Sequence, residues 1–167
     1  MKTLCISLAT FLVSGFAFSQ NMYRDPGTVD LKLITVRPLN ISYVHSVVDE
    51  RMPETVTRLE HKAARYNITE NPVYDGNFEA YEVVFSHENA TIIATYDHKG
   101  KILQTSERFK NITLPAFIRN KIHAEHPGWT IHSDLYLVSY YCNSEVKKVC
   151  KIQLRKDGER KNLKIEI

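Results

Sequence analysis

The sequence predicts an α+β fold in which two helices lie on one face of an antiparallel sheet. Apolar and polar residues alternate in several short segments, and turn sequences of the Asp-Gly type separate these segments. Two other segments repeat apolar residues at every third or fourth position, which is the spacing of one helix face. Strands joined by hairpins, with helices against one face of the sheet, belong to the α+β class.

The composition is that of an ordinary globular protein. The chain has 167 residues, of which 25% are charged and 43% are hydrophobic. These proportions exclude a disordered, collagen-like or low-complexity chain. The chain has 22 basic and 19 acidic residues, a formal charge of +3. So small an excess does not favour nucleic acid or an anionic membrane as the partner.

Residues 1–19 have the features of a secretory signal peptide. One lysine precedes an apolar stretch from Leu4 to Phe18, and Ala17 and Ser19 supply the small residues of a cleavage site. The stretch is shorter than the roughly 20 residues that span a membrane. We therefore expect an exported protein, periplasmic or secreted, that does not stay inserted in the membrane after cleavage. The alternatives are a buried N-terminal helix and a membrane anchor.

An extended segment and then a helix are predicted after the signal peptide. Residues 20–48 alternate apolar and polar side chains in part, so we expect an extended conformation. A helix is predicted over residues 53–66, because Val56, Leu59 and Ala63 recur at three- and four-residue steps. Its first residue is a proline, which the first turn of a helix accommodates.

Six strands and a second helix complete the predicted elements. The first three strands are expected at residues 78–85, 90–96 and 101–105. The second helix is expected to begin with Thr113 as its N-cap and to end near His126, with an apolar stripe of Leu114, Phe117, Ile118 and Ile122. The last three strands are expected at residues 129–131 running into 135–141, at 149–154 and at 162–167.

The chain is thereby predicted to form two halves, residues 49–110 and 111–167, within one compact domain. Each half is a helix followed by three strands. The turn at Asp97–Gly100 corresponds to the turn at Asp157-Gly158, and Met52-Pro53 corresponds to Leu114-Pro115, at a spacing of about 60 residues. This correspondence indicates a weak internal repeat.

Two cysteines follow the predicted signal peptide, Cys142 and Cys150, and an exported protein meets an oxidising environment. They flank what the sequence predicts as a hairpin connection, so a disulfide between them is one hypothesis. The alternative is two unpaired thiols on opposite faces. A zinc site is not expected, since no second cysteine pair and no suitably spaced histidine accompany them.

Tyrosine is abundant, with nine residues, and three of them lie in one predicted strand. Alternation places Tyr136 and Tyr140 on one face of that strand and Tyr141 on the other. One interpretation is packing within the core. The other is that Tyr136 and Tyr140 form a surface that contacts a protein partner, because tyrosine is favoured at interfaces.

No catalytic or cofactor-binding motif is evident. The chain has neither a Gly-x-Ser-x-Gly elbow nor a glycine-rich phosphate loop. His123 and His126 lie three residues apart, but a third ligand is missing and a solvated helix end explains them better. We therefore expect no catalytic residue, no metal and no cofactor.

One stretch resembles a known family. It comprises Tyr96-Asp97 with Gly100, the Leu114-Pro115 helix start, and His126-Pro127-Gly128-Trp129 at the helix end. These features are similar to the exported PepSY-like and beta-lactamase-inhibitor-like proteins of Gram-negative bacteria, over roughly residues 40–167. The resemblance implies a small exported α+β module built from two PepSY-like halves. It implies no catalytic residues, and Cys142 and Cys150 are not a hallmark of the family.

Three functions follow as hypotheses. The first is a non-enzymatic, inhibitor-like binding module that contacts a protein or peptide in the cell envelope. The second is a nucleotide-handling enzyme, because similar sequences carry the label nicotinate-nucleotide adenylyltransferase, although the phosphate-binding motifs of such an enzyme are not found here. The third is a structural envelope protein without a discrete ligand, which a surface free of large apolar patches would favour.

Overall fold

The computed structural model describes residues 40–167, and the predicted signal peptide and residues 20–39 lie outside them. The described part begins with α1 (Ile41–Val47), α2 (Glu54–Arg65) and a 3₁₀ turn (Ile68–Glu70). Then follow, in chain order, β1 (Ala80–His87), β2 (Ala90–Asp97), β3 (Ile102–Lys110), α3 (Ala116–Glu125), β4 (Thr130–Tyr141), β5 (Lys147–Lys156) and β6 (Glu159–Glu166).

The six strands form one sheet in their chain order, and every neighbouring pair is antiparallel. This confirms the predicted α+β class and the antiparallel sheet. Most strands are longer than predicted, because the pattern of apolar residues fades before the ladder of backbone hydrogen bonds ends. β3, for example, continues from the predicted end at Thr105 to Lys110.

The sheet has a buried face and an exposed face. Ala90, Phe109, Tyr136, Cys150 and Ile165 are cross-strand neighbours along one row from β2 to β6. Since directly opposite residues share a face, this row defines the inner face, whose side chains pack with those of the helices. We call the opposite side the outer face.

The larger core cluster lies between the inner face and helices α1 and α2. Val56, Leu59 and Ala63 on α2 are buried there, as the helical spacing predicts. The hydroxyl of Tyr96 on β2 donates a hydrogen bond of 2.7 Å to the carbonyl oxygen of Ala63. A buried tyrosine thereby satisfies its polar end while its ring packs in the core.

The smaller core cluster surrounds α3. Ile118 and Ile122 pack with Cys150 and with Ile152 and Leu154 of β5. Two details of this helix differ from the prediction. Its N-cap is Pro115 and no side chain caps it, so the assignment of Thr113 as the cap is wrong. Phe117, expected on the apolar stripe, is 39% exposed.

The segment before α2 contains a third helix that the sequence pattern does not predict. Residues 41–47 were expected to be extended, but they form α1. Ile41 and Tyr43 suggested alternation, yet Ile41 is 52% exposed, whereas Tyr43 and Val47 are both buried. A separation of four residues between buried side chains is helical spacing, and a run this short fits either period.

Asn40 connects the end of α2 to the turn between β2 and β3. Its Nδ2 donates to the carbonyl oxygens of Ala64 and Gly100 at 3.1 and 3.2 Å, and its Oδ1 accepts from the amide of Ile102 at 2.8 Å. We expect Asn40→Ala to lower the free energy of unfolding by about 2 kcal/mol, because it leaves partly buried backbone groups without partners. Urea unfolding measures the loss, and Ser42→Ala, an exposed neighbour on α1, is the control. Equal stability of both variants would contradict this role of Asn40.

Candidate functional site

The structure buries the tyrosines that were predicted as a partner surface. Tyr136 and Tyr140 lie on the inner face with exposed fractions of 0% and 3%. The Tyr140 ring packs edge-on against Tyr43 of α1 at 5.4 Å between centroids. The alternation was predicted correctly, but the helices cover the face that carries this pair. Tyr141, on the outer face, is 54% exposed.

The structure does not bring the two cysteines together. Cys150 lies opposite Tyr136, which is six residues from Cys142 along β4 and its continuation. Six residues of extended chain span about 20 Å, whereas the Cα atoms of a disulfide lie about 4.4–6.8 Å apart. Both side chains are free thiols in this fold, so the predicted bridge is wrong. The two cysteines are far apart because Cys142 lies near the turn of the β4–β5 hairpin, whereas Cys150 lies several residues along β5 from that turn.

The free thiols predict a difference in reactivity. Cys150 is completely buried, and burial raises the pKa of its thiol to about 12, whereas Cys142 is partly exposed. In the native protein without denaturant, we expect a thiol reagent to modify Cys150 at least about tenfold more slowly than Cys142. After unfolding, both thiols should react. The variants Cys142→Ser and Cys150→Ser assign the two reactions. A protein that shows neither thiol when denatured without reductant would contradict the separation.

Two buried glutamates form a polar cluster inside the larger core. Glu60 on α2 and Glu107 on β3 are each only 1% exposed. The hydroxyls of Tyr43 and Thr105 both donate to Oε1 of Glu107, at 2.8 and 2.7 Å. With both carboxyls ionised, Oε2 of each glutamate is buried without a donor. One proton held between the carboxyls would supply the missing donor.

Burial raises the pKa of both glutamates. Desolvation is the largest cause for each. For Glu60 it is reinforced by the negative charge of Glu107, while Lys148 on β5 pulls both pKa values back down. A hydrogen bond between the carboxyls raises the pKa of Glu60 and lowers that of Glu107. Glu60 is therefore the member that keeps its proton longer as the pH rises.

The two carboxyl groups have the chemistry of an acid–base dyad, but a substrate cannot reach them. Neither glutamate lines any of four surface clefts in the described part of the chain. A catalytic acid or base must come within hydrogen-bond reach of the substrate, and this pair is enclosed. The sequence held a signal for it, since Glu60 lies four residues after Val56 on the apolar stripe and Glu107 alternates with Phe109.

The outer face is the principal candidate for binding. Val84 and Ile93, cross-strand neighbours in β1 and β2, are 56% and 37% exposed. Leu135, Leu137 and Val149 of β4 and β5 are half-buried apolar side chains on the same face, separated from Ile93 by the polar outward side chains of β3, such as Ser106 and Arg108. No other described helix or strand packs on these residues. An exposed apolar surface of this kind, framed by polar groups, is typical of an interaction site.

Basic side chains lie on the outer face of β3, β5 and β6, on both sides of the apolar residues of β4. By register they are Arg108 and Lys110 of β3, Lys147, Lys151 and Arg155 of β5, and Arg160 and Lys164 of β6. A cleft of about 440 Å³ lies among them, and its lining includes Ser133, Gln153 and Asn162 together with Lys151 and Lys164. The formal charge of the whole chain is only +3, so it does not reveal that basic side chains cluster on one face.

The described residues give no sign of a metal centre or a membrane span. Among residues 40–167, no three His, Cys, Asp or Glu side chains lie close enough together to hold a metal ion. His123 is exposed, and Nδ1 of His126 lies 3.3 Å from Nζ of Lys161. Within the same residues, no helix has both the length and the apolar character needed to cross a membrane.

Comparison with protein-family models, with curated proteins and with solved structures found no match to this chain.

Proposed function

We propose that this protein is an exported, non-enzymatic binding module that contacts a protein or peptide of the cell envelope through the outer face of its sheet. The observation that carries the proposal is the exposure of Val84, Ile93 and Tyr141 on a face that no other described helix or strand covers. The export itself rests on the signal-peptide features of residues 1–19.

The proposal includes no catalysis, and it is supported in this by the burial of the carboxyl pair Glu60 and Glu107 in the core. Glu60 and Glu107 are the described groups best suited to acid–base work, since burial raises the pKa values of both well above the ordinary value of a glutamate. Each is 1% exposed, however, and their known donors, Tyr43 and Thr105, belong to the same core. They are better explained as a structural polar cluster.

The proposal includes two related halves, in line with the resemblance to PepSY-like proteins. It is supported by the element order, since α2 precedes β1–β3 and α3 precedes β4–β6. Pro53 and Pro115 cap the two helices with nearly the same backbone angles, φ −57° and −56°. Gly100 and Gly158, both at positive φ, turn the chain between the last two strands of each half. Such turns need a residue that adopts positive φ without strain.

Affinity capture from the cell envelope of the producing organism tests the proposed function. The bait is compared with a double variant on the outer face, Ile93→Thr with Tyr141→Thr. The matched control, Val73→Thr with Phe78→Thr, removes two exposed apolar side chains outside the strands. We expect one stoichiometric partner with the native bait and the control, and at least about tenfold less with the outer-face variant. Equal capture by both variants, or no partner for a folded bait, would overturn the proposal.

A further inference from the structure

Strands β5 and β6 place like charges opposite each other on the outer face. Lys151 is the direct cross-strand neighbour of Lys164, and Arg155 is the direct neighbour of Arg160. Like charges in this position repel and destabilise a sheet. Two such pairs on the same face of the same two strands work against the fold, which suggests that the charges serve another purpose.

The protein itself neutralises little of this charge. On the outer face of β5 and β6 the one carboxylate is Glu166, whose Oε1 lies 2.7 Å from Nζ of Lys164. Lys151, Arg155 and Arg160 form no salt bridge with any described residue. Nε of Arg155 is buried and has no acceptor within the described part of the chain. These groups therefore offer donors without acceptors.

The surroundings of the two pairs can bind carboxylate groups. The cleft of about 440 Å³ lies against Lys151 and Lys164, and Ser133, Gln153 and Asn162 bring hydroxyl and amide donors to its wall, although the Gln153 amide already donates to Oδ1 of Asn162 at 3.5 Å. Asp134 also lines the cleft, and its Oδ2 accepts a hydrogen bond from the amide of Ile112. Lys110 lies in the same cross-strand row as Lys151 and Lys164, two strands away on β3. Cationic side chains next to neutral donors are the groups that recognise a carboxylate.

We propose that the outer face of β5 and β6 is the docking site for an acidic, extended segment of the partner protein. This inference rests on the proposed function and adds the chemistry of the partner. Lys151 and Arg155 lie four residues apart on one strand, a distance of about 13 Å. Carboxylates four residues apart in an extended peptide have the same spacing, so a peptide lying along β5 can meet both cations.

A polypeptide fits this face better than a single-stranded nucleic acid. Proteins that bind single strands stack the bases on aromatic side chains. At the outward positions of the six strands, the register places one tyrosine, Tyr141 at the end of β4, and no Phe or Trp. Residues 20–39 are not an acidic segment either, because they contain Arg24, Lys32 and Arg37 against two aspartates.

Fluorescence anisotropy with a labelled peptide of ten alternating Glu and Thr residues tests the inference on the purified protein. The probes for comparison are the corresponding Lys–Thr peptide and a ten-nucleotide oligothymidine. We expect the acidic peptide to bind, the basic peptide not to bind, and the affinity to fall as salt is added. The oligonucleotide is expected to bind more weakly than the acidic peptide.

The decisive variant is Lys151→Glu, because it affects binding and stability in opposite directions. It replaces a like-charge pair by an opposite-charge pair, so we expect the Tm to rise by about 1–3 °C. The Kd for the acidic peptide should increase at least about tenfold. Lys121→Glu on the exposed side of α3 changes the net charge equally, and we expect it to raise the Kd less than about twofold.

Three results would overturn the inference: no binding of the acidic peptide, equal effects of the two substitutions, or tighter binding of the oligonucleotide with the same dependence on Lys151. The proposed function can be judged separately. If the acidic peptide fails but capture from the envelope still depends on Ile93 and Tyr141, only the acidic partner is wrong. If capture also fails, the outer face is not a binding surface.

Discussion

Replacing Tyr136 by serine is expected to lower the free energy of unfolding by about 4 kcal/mol, whereas Tyr141→Ser should cost less than about 1 kcal/mol. Tyr136 is 0% exposed, and its ring stacks on Phe109 with 5.8 Å between centroids. Removing it leaves a cavity between the sheet and the helices. Tyr141 lies in the same strand and is 54% exposed, so the two substitutions form a matched pair. Urea unfolding at one pH measures both changes.

The variant Tyr136→Phe separates the ring from the hydroxyl. The hydroxyl of Tyr136 is buried without a hydrogen-bond partner, and burial raises its pKa. Removal of an unsatisfied polar group from a core costs little or stabilises, so we expect a change within about 1 kcal/mol. Equal losses for Tyr136→Ser and Tyr141→Ser would mean that the inner face is not the core.

Replacing Glu60 by glutamine is expected to change the pH dependence of stability. The folded-state pKa of Glu60 is raised above its ordinary value near 4.5. Below that value both folded and unfolded states hold the proton, and the contribution of Glu60 to stability is fully present. As the pH rises, the unfolded chain ionises first, and the contribution is lost progressively until the folded pKa is passed. Glutamine does not titrate, and its amide can still donate to Glu107.

We therefore expect the free energy of unfolding of Glu60→Gln, relative to the native protein, to increase between pH 5 and pH 8.5 by on the order of 2 kcal/mol. Urea unfolding at several pH values measures this difference. Glu54→Gln, the same substitution on the exposed side of α2, is the control. The same offset for both variants at every pH would show that Glu60 is not held in its protonated form.

The sequence predicted the sheet and two of the helices because their periodicity is local. Val56, Leu59 and Ala63 are spaced for one helix face, and all three are buried. In β2, Ile92, Ala94 and Tyr96 alternate and are also buried. These patterns depend only on the geometry of one element. Helix α1 was not predicted because its seven residues are too few to distinguish the helical period of 3.6 residues from the strand period of two.

Most of the candidate site could not be predicted from the sequence, because it depends on which residues the strand pairing makes neighbours. Alternation places Tyr136 and Tyr141 on opposite faces, but it does not say which face the helices cover. Likewise, Lys151 and Lys164 are 13 positions apart in the chain, and only the pairing of β5 with β6 makes them direct neighbours. The position of Glu60 on an apolar stripe was visible, but its partner Glu107 lies 47 residues away on another element.

The most direct test of the outer face as the binding surface is a backbone-amide NMR titration of the protein with the acidic Glu–Thr peptide. We expect the chemical-shift changes to concentrate in β4, β5 and β6, with the largest near Lys151, Arg155 and Lys164, while the amides of α2 and α3 shift little. Changes concentrated on the helices, or none at peptide concentrations up to the millimolar range, would contradict the assignment of the binding surface to the outer face.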